Sequence, residues 1–218
     1  MALRLILLGP PASGKGTQGR RIAEQRGLDY LSTGALLREV LTAGGPVAAE
    51  IAPVLARGGY IDDDRMCHIM ADWLRGRQGG WVLDGFPRTL AQDDFLREAL
   101  LPGGIDAAIA LEVPKEELLR RIAGRVECPS CRWSGQREQL VQGGLCPRCG
   151  TPAGRRADDD VTNFLHRYEE YETHTLPVIE RHAAQGTLIR CDATRDVEIV
   201  STSLAASLEP LSSHGQAS

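Results

Sequence analysis

Three groups of residues in this 218-residue chain have types and spacing suited to chemistry. The first is Gly9-Pro10-Pro11-Ala12-Ser13-Gly14-Lys15, which fits G-x-x-x-x-G-K. Such a loop turns successive backbone N–H groups inward onto phosphate oxygens, and its lysine bridges the outer phosphates of a nucleotide. Gly16 follows the lysine, and the hydroxyl comes one place later, at Thr17. The second group is Cys128-Pro129-Ser130-Cys131 with Cys146-Pro147-Arg148-Cys149, two C-x2-C pairs with 14 residues between them. That spacing suits tetrahedral Zn²⁺ on four thiolates, a closed and therefore structural site. Four reduced cysteines without metal are the alternative. The third group is dispersed: Arg38, Asp84, Arg88, Arg121, Arg125, Arg156, Arg167 and Arg195. Singly, an arginine reads as a solvated charge and Asp84 as a helix cap.

These residues need a scaffold, and the apolar runs supply one. Leu3–Leu8 is nearly all apolar, the pattern of a strand buried on both faces of a parallel sheet. Shorter runs recur at Trp81–Leu83, Ala107–Val113 and Thr187–Cys191, and Asp29–Ser32 supplies one more short strand. Helices are predicted over Gly16–Arg26, Val47–Arg57, Asp64–Arg75, Glu116–Arg125 and Val161–Ala184. The alternation predicts a P-loop α/β fold with a doubly wound parallel sheet. Two stretches break the rhythm. Thr33–Ile61 predicts helices without a strong strand, and Cys128–Arg155 is rich in Gly, Pro, Arg and Cys without a hydrophobic period.

Hydrophobic residues make up 42% of the chain and charged ones 25%, enough apolar content for a core. The net charge of -4 argues against a surface built to hold nucleic acid or an anionic membrane. No stretch approaches the ~18–20 apolar residues that span a bilayer. The expectation is a cytoplasmic protein with no membrane and no nucleic-acid partner. Clustered cysteines in such a chain point to metal before disulfides, whereas Cys67 and Cys191 are expected to pack as small hydrophobes.

Ser32-Thr33-Gly34-Ala35-Leu36-Leu37-Arg38 is similar to the STGDLLR segment of adenylate kinases. Asp84-Gly85-Phe86-Pro87-Arg88-Thr89 reproduces that family's DGFPRT signature, and Gln92 follows at its spacing. The chain resembles this family, in its bacterial form with a long zinc-bearing lid, from about Leu3 to Leu208. The resemblance implies reversible, Mg²⁺-dependent phosphoryl transfer from ATP to AMP, giving two ADP, by a monomer. It implies core segments 1–31, 62–124 and 160–211, a helical AMP-binding insertion 32–61 and a zinc lid 125–159; the small polar residues of 212–218 separately predict a disordered tail. ATP is then bound by Ala12, Ser13, Gly14, Lys15, Gly16, Thr17, Arg121, Arg125 and Arg195. AMP falls to Thr33, Arg38, Gly59, Tyr60, Ile61, Gly85, Phe86, Pro87, Arg88, Gln92, Arg156 and Arg167, with Thr33 and Gln92 on its base. Lys15, Arg88, Arg125, Arg156 and Arg167 are the catalytic candidates, and Asp84 holds water on Mg²⁺. Cys128, Cys131, Cys146 and Cys149 take the structural Zn²⁺. Asp158 and Asp159 are expected to pair with lid or core groups, a surface ion pair being the alternative for Asp159.

The chain departs from the family at several positions. Ala12 replaces a loop glycine and is strained if that position needs positive φ. Ala35 stands where the family has Asp, and Ala193 where it has a glycine near the ATP base. Gly135 falls near a lid tyrosine of zinc-bearing relatives, with Trp133 close enough to supply an aromatic face instead. Rival readings are a kinase for UMP, CMP or GMP, a nucleic-acid-binding ATPase with a zinc ribbon, and a degenerate regulatory nucleotide binder.

Overall fold

The computed structural model describes residues 3–77, 79–155 and 159–213. Among these, β1 (Arg4–Leu8), β2 (Asp29–Ser32), β3 (Trp81–Asp84), β4 (Ala107–Glu112) and β7 (Leu188–Asp192) form one parallel sheet in the order β2-β3-β1-β4-β7. Strand alternation divides the core. Ile6, Leu8, Leu31, Leu83, Ala108 and Ala110 face one way, and Leu5, Leu7, Val82, Ala107, Ile109 and Leu111 the other. Both faces are covered, which explains why the central strands read as continuous apolar runs.

On the first face lie α2 (Thr33–Ala43), α3 (Pro46–Ala56), α4 (Asp63–Leu74), α5 (Leu90–Ala99) and α8 (Leu176–Ala184), contributing Leu37, Ile51, Met70, Leu96 and Val178 to the core. On the second lie α1 (Lys15–Arg26) and α9 (Val197–Ser213), contributing Ile22, Val200, Leu204 and Leu208. Polar caps set the helix starts. Ser32 accepts from the Ala35 N–H, Asp62 from Arg65, and Thr89 from Gln92. The helix predicted over 161–184 is α7 (Val161–Glu170), one wider turn at Tyr171–Thr175, and then α8. Helices α5 and α9 were not predicted. Helix α9 also carries through Ser213, so the expected disordered tail 212–218 begins inside a helix, and its remainder lies outside the described residues.

The cysteine-rich module stands apart from the sheet. After α6 (Lys115–Gly124) the chain forms an antiparallel pair, β5 (Arg125–Glu127) and β6 (Ser134–Gln136). A further antiparallel bridge joins Glu127 to Gly154. Between 125 and 155 the fully buried side chains are Val126, Cys128 and Cys146 alone, too few for a hydrophobic core. Among the described residues no helix is long and apolar enough to cross a membrane.

Candidate active site

The C-terminal ends of β1, β2, β3 and β7 open into a cleft of about 760 Å³ between the sheet, α2 and the lid. This is where open parallel sheets place their ligands. The loop between β1 and α1 lines its floor. Lys15 Nζ donates to the Gly9 and Pro10 carbonyls at 2.8 Å each, folding the side chain back over the loop. Burial pushes the Lys15 ammonium down to about 8; Asp84 opposes this, and Arg88, Arg167 and Arg125 add to it. One lysine therefore senses three arginines, from the β3–α5 loop, β5 and α7, as befits a site assembled for polyanions. Ala12 has φ 65, so the condition for strain is met.

Asp84 ends β3, in register with Leu7 on one side and Ser32 on the other. It caps no helix, and its Oδ2 accepts from the Tyr30 hydroxyl at 2.9 Å. Burial, with the Asp84 charge, pushes the Tyr30 phenol well above its ordinary value, so it remains a donor. Arg88 Nε donates to the Gly85 carbonyl at 2.8 Å, and its guanidinium lies 4.7 Å from the Tyr60 ring centroid. Thr175 holds this segment by donating to the Arg88 carbonyl at 3.0 Å.

Lys15, Gly16, Thr17, Arg38, Tyr60, Asp84, Gly85, Pro87 and Arg88 line the cleft, together with Arg121, Arg125, Arg167 and Arg195. So do Ala12, Ser13 and Gly14. Thr33, Gly59, Ile61, Phe86 and Gln92 do not. Phe86 and Ile61 are core residues. The Thr33 hydroxyl donates to the Gly85 carbonyl at 3.0 Å. Gln92 accepts from the Arg88 N–H and donates to Asp63 Oδ1, both at 2.8 Å, so its amide is committed to protein partners. Arg156 and Asp158 lie outside the described residues.

Over the cleft, the lid's Arg125 makes a two-pronged salt bridge to the buried Asp159, whose carboxylate is 0% exposed. Of the two expectations for Asp159, the internal pair holds and the surface pair does not. Arg121 donates to Glu117 at 2.9 Å and to the Ala193 carbonyl at 2.7 Å, tying α6 to the loop before α9. Trp133 and Gly135 both line the cleft, and a Cβ on Gly135 would collide with the Trp133 ring. The missing side chain at 135 thus makes room for the indole.

The four cysteine Sγ atoms lie within 4.8 Å of one another, with Cys128–Cys149 at 3.5 Å and Cys131–Cys146 at 3.6 Å. Four thiolates on a tetrahedral zinc stand about 3.8 Å apart, so this cluster fits one such ion. Cys67 packs against the first core cluster and Cys191 within the second, as expected of small hydrophobes.

Several residues of the site had no sequence signal. Glu127 lines the cleft and stands 3.9 Å from both Arg38 and Arg132. Tyr30, Asp63 and Thr175 act through partners distant in the chain, which no local motif reveals. Two lid arginines form exposed ion pairs with the core. Arg132 pairs with Glu39 and Arg148 with Glu24, at 3.4 and 3.3 Å.

Residues 7–187 match the family model described as "Adenylate kinase". The chain belongs to the adenylate kinase family. It is 36% identical to the adenylate kinase of Kosmotoga olearia, over 96% of this chain and 100% of that protein. It is 37% identical to that of Rhizobium etli, over 96% and 100%. It is 36% identical to that of Archaeoglobus fulgidus, over 97% and 100%. The kinase is accordingly a nucleoside monophosphate kinase, and its α/β fold with a cysteine-clustered lid is the family's as the sequence implied.

Proposed function

We propose that this kinase catalyses reversible, Mg²⁺-dependent transfer of the γ-phosphoryl group of ATP to AMP, giving two ADP. The observation that carries the proposal is the convergence of Lys15, Arg88, Arg125 and Arg167 on one cleft, close enough for the three arginines to shift the lysine. An oxygen of the AMP phosphate attacks the γ-phosphorus in line, and the bond to the β–γ bridging oxygen breaks. Both partners are anions, so the protein's task is positioning and charge stabilisation.

In this reading the loop N–H groups from Ala12 to Thr17 cradle the ATP phosphates, and Lys15 leaves the Gly9 and Pro10 carbonyls to reach them. Arg38 and Arg88 fork onto the AMP phosphate, a planar match that lysine lacks. Arg125, Arg167 and Arg156 stabilise charge on the transferring group. Trp133, Arg121 and the backbone near Ala193 and Arg195 receive the ATP base. Thr33, Gln92 and the backbone of Gly59, Tyr60 and Ile61 receive that of AMP; Gln92 exchanges Asp63 for the base. Asp84 offers hard carboxylate oxygens beside the loop, a donor type that suits the water shell of magnesium. Bound magnesium neutralises β- and γ-phosphate charge. The four-cysteine cluster holds zinc in place of a lid core. Lid closure excludes water, which competes with AMP as acceptor. The kinase works as a cytoplasmic monomer.

The test is a forward assay with Mg-ATP and each of AMP, CMP, UMP and GMP. AMP should exceed the others in kcat/KM by about 10² or more, as expected of a site that hydrogen-bonds one base. Equal or better turnover with a pyrimidine monophosphate would overturn the assignment.

A further inference from the structure

Tyr30 on β2 has no role in the reaction as described, yet its hydroxyl donates to Asp84 Oδ2 at 2.9 Å. The Arg20 guanidinium lies over the same ring, 5.2 Å from its centroid. Arg20 Nη2 in turn donates to the backbone carbonyl of Arg132, in the lid, at 2.9 Å. A chain of contacts thus runs from the lid through Arg20 and Tyr30 to the carboxylate that ends β3. The packing makes room for it. A Cβ on Gly19 of α1 would stand 2.6 Å from Leu7 Cδ1 and 2.7 Å from Tyr30 Cε2, so the helix residue against the ring carries no side chain.

A carboxylate at a strand end is free to rotate about its last bond. Accepting a phenolic hydrogen on one oxygen fixes that rotation and leaves the other oxygen aimed, as partners of metal-site carboxylates do. We propose that Tyr30 is a positioning residue whose hydrogen bond aims Asp84 at the hydrated magnesium of the bound nucleotide. Arg20 links that aim to the seating of the lid. The proposal rests on the reading of Asp84 as a partner of magnesium-bound water.

Calorimetric titration with the β,γ-imido analogue of ATP, with and without Mg²⁺, gives the factor by which magnesium tightens binding. Tyr30→Phe removes one oxygen and keeps the ring beneath Arg20. It should reduce that factor by about threefold to tenfold, the worth of one hydrogen bond, while metal-free affinity holds. Arg20→Met should reduce it less, and the double variant should match Tyr30→Phe alone, because members of one chain do not add. Asp84→Asn separates the two readings. If it abolishes the magnesium effect while Tyr30→Phe leaves it intact, the role of Tyr30 is overturned and that of Asp84 stands. If Asp84→Asn itself leaves the effect intact, both fall. A lower thermal midpoint in Tyr30→Phe with an unchanged magnesium factor would show packing only and would overturn the proposal.

Discussion

Lys15 shows most directly how single residues answer to the site around them. Burial holds its pKa at about 8 in the nucleotide-free protein, against an ordinary lysine value near 10.5. Folding lowers this pKa, so the unfolded chain binds more protons between those values, and Lys15 makes stability rise as pH climbs through that window. Polyphosphate favours the ammonium, so binding the imido analogue above pH about 8 should take up a proton. Its affinity should then fall by about tenfold per pH unit, and the dependence should vanish in Lys15→Met; a flat pH profile in the unsubstituted protein would contradict this. Ala12 carries a second residue-scale consequence. A left-handed alanine costs about 1–2 kcal/mol, partly offset by the entropy that glycine adds to the unfolded chain. Ala12→Gly should raise the thermal midpoint by about 2 °C, and a fall in scanning calorimetry would show that φ 65 carries no strain. The strain was legible only as a condition, because a φ angle is a property of the folded loop. The motifs themselves were legible because phosphate chemistry fixes both residue type and spacing. The partners of Gln92, Asp84 and Asp159 were not, since each pairing joins segments that only the fold brings together.

At the scale of elements, the same distinction separates strong from weak periodicity. The central strands were evident because two-sided burial makes them apolar throughout. Helix α9 gives only a weak sequence signal although Val200, Leu204 and Leu208 recur at helical spacing, because serines, alanines and threonines dilute the stripe. Strands β5 and β6, at three residues each, are too short to show a period. Helices α5 and α8 are joined by a cluster that polarity patterns also hide. Asp93 accepts from Arg97 and Arg181 at 2.9 Å each and meets His182 Nε2 at 3.1 Å. Burial pushes the Asp93 carboxyl up, but hydrogen bonds from His182, Arg97 and Arg181 outweigh it and hold the group at about 2. Its contribution is therefore complete above the unfolded carboxyl value and is lost as pH falls through that range. Asp93→Ala should cost about 3–5 kcal/mol in denaturant unfolding, since it strands buried partners; a loss under 1 kcal/mol, about the worth of an exposed pair, would mean the cluster is solvated. In the lid, Gly135→Ala should displace the indole and raise KM for ATP by about threefold to tenfold, leaving KM for AMP unchanged, if one aromatic contact sets the base. An unchanged KM for ATP would remove Trp133 from the base site.

Across the whole molecule, the lid is seated by a thin seam. Arg132–Glu39 and Arg148–Glu24 are exposed pairs, Glu127 stands 3.9 Å from Arg38, and Arg20 holds one lid carbonyl. Exposed pairs are worth about 0–1 kcal/mol each and are screened by salt, so a seam of this kind is compatible with the proposed lid closure. The fold class and the presence of a separate module could be read from the chain, whereas the seam could not, because its charges lie far apart in sequence. On the proposed function, the two nucleotide sites meet in one cleft and exchange a phosphoryl group. Purified kinase given Mg²⁺ and ADP alone tests it most directly, with ATP and AMP followed together. The two should appear at equal rates and in equal amounts until equilibrium. Release of phosphate without AMP, or no turnover despite nucleotide binding, would contradict it.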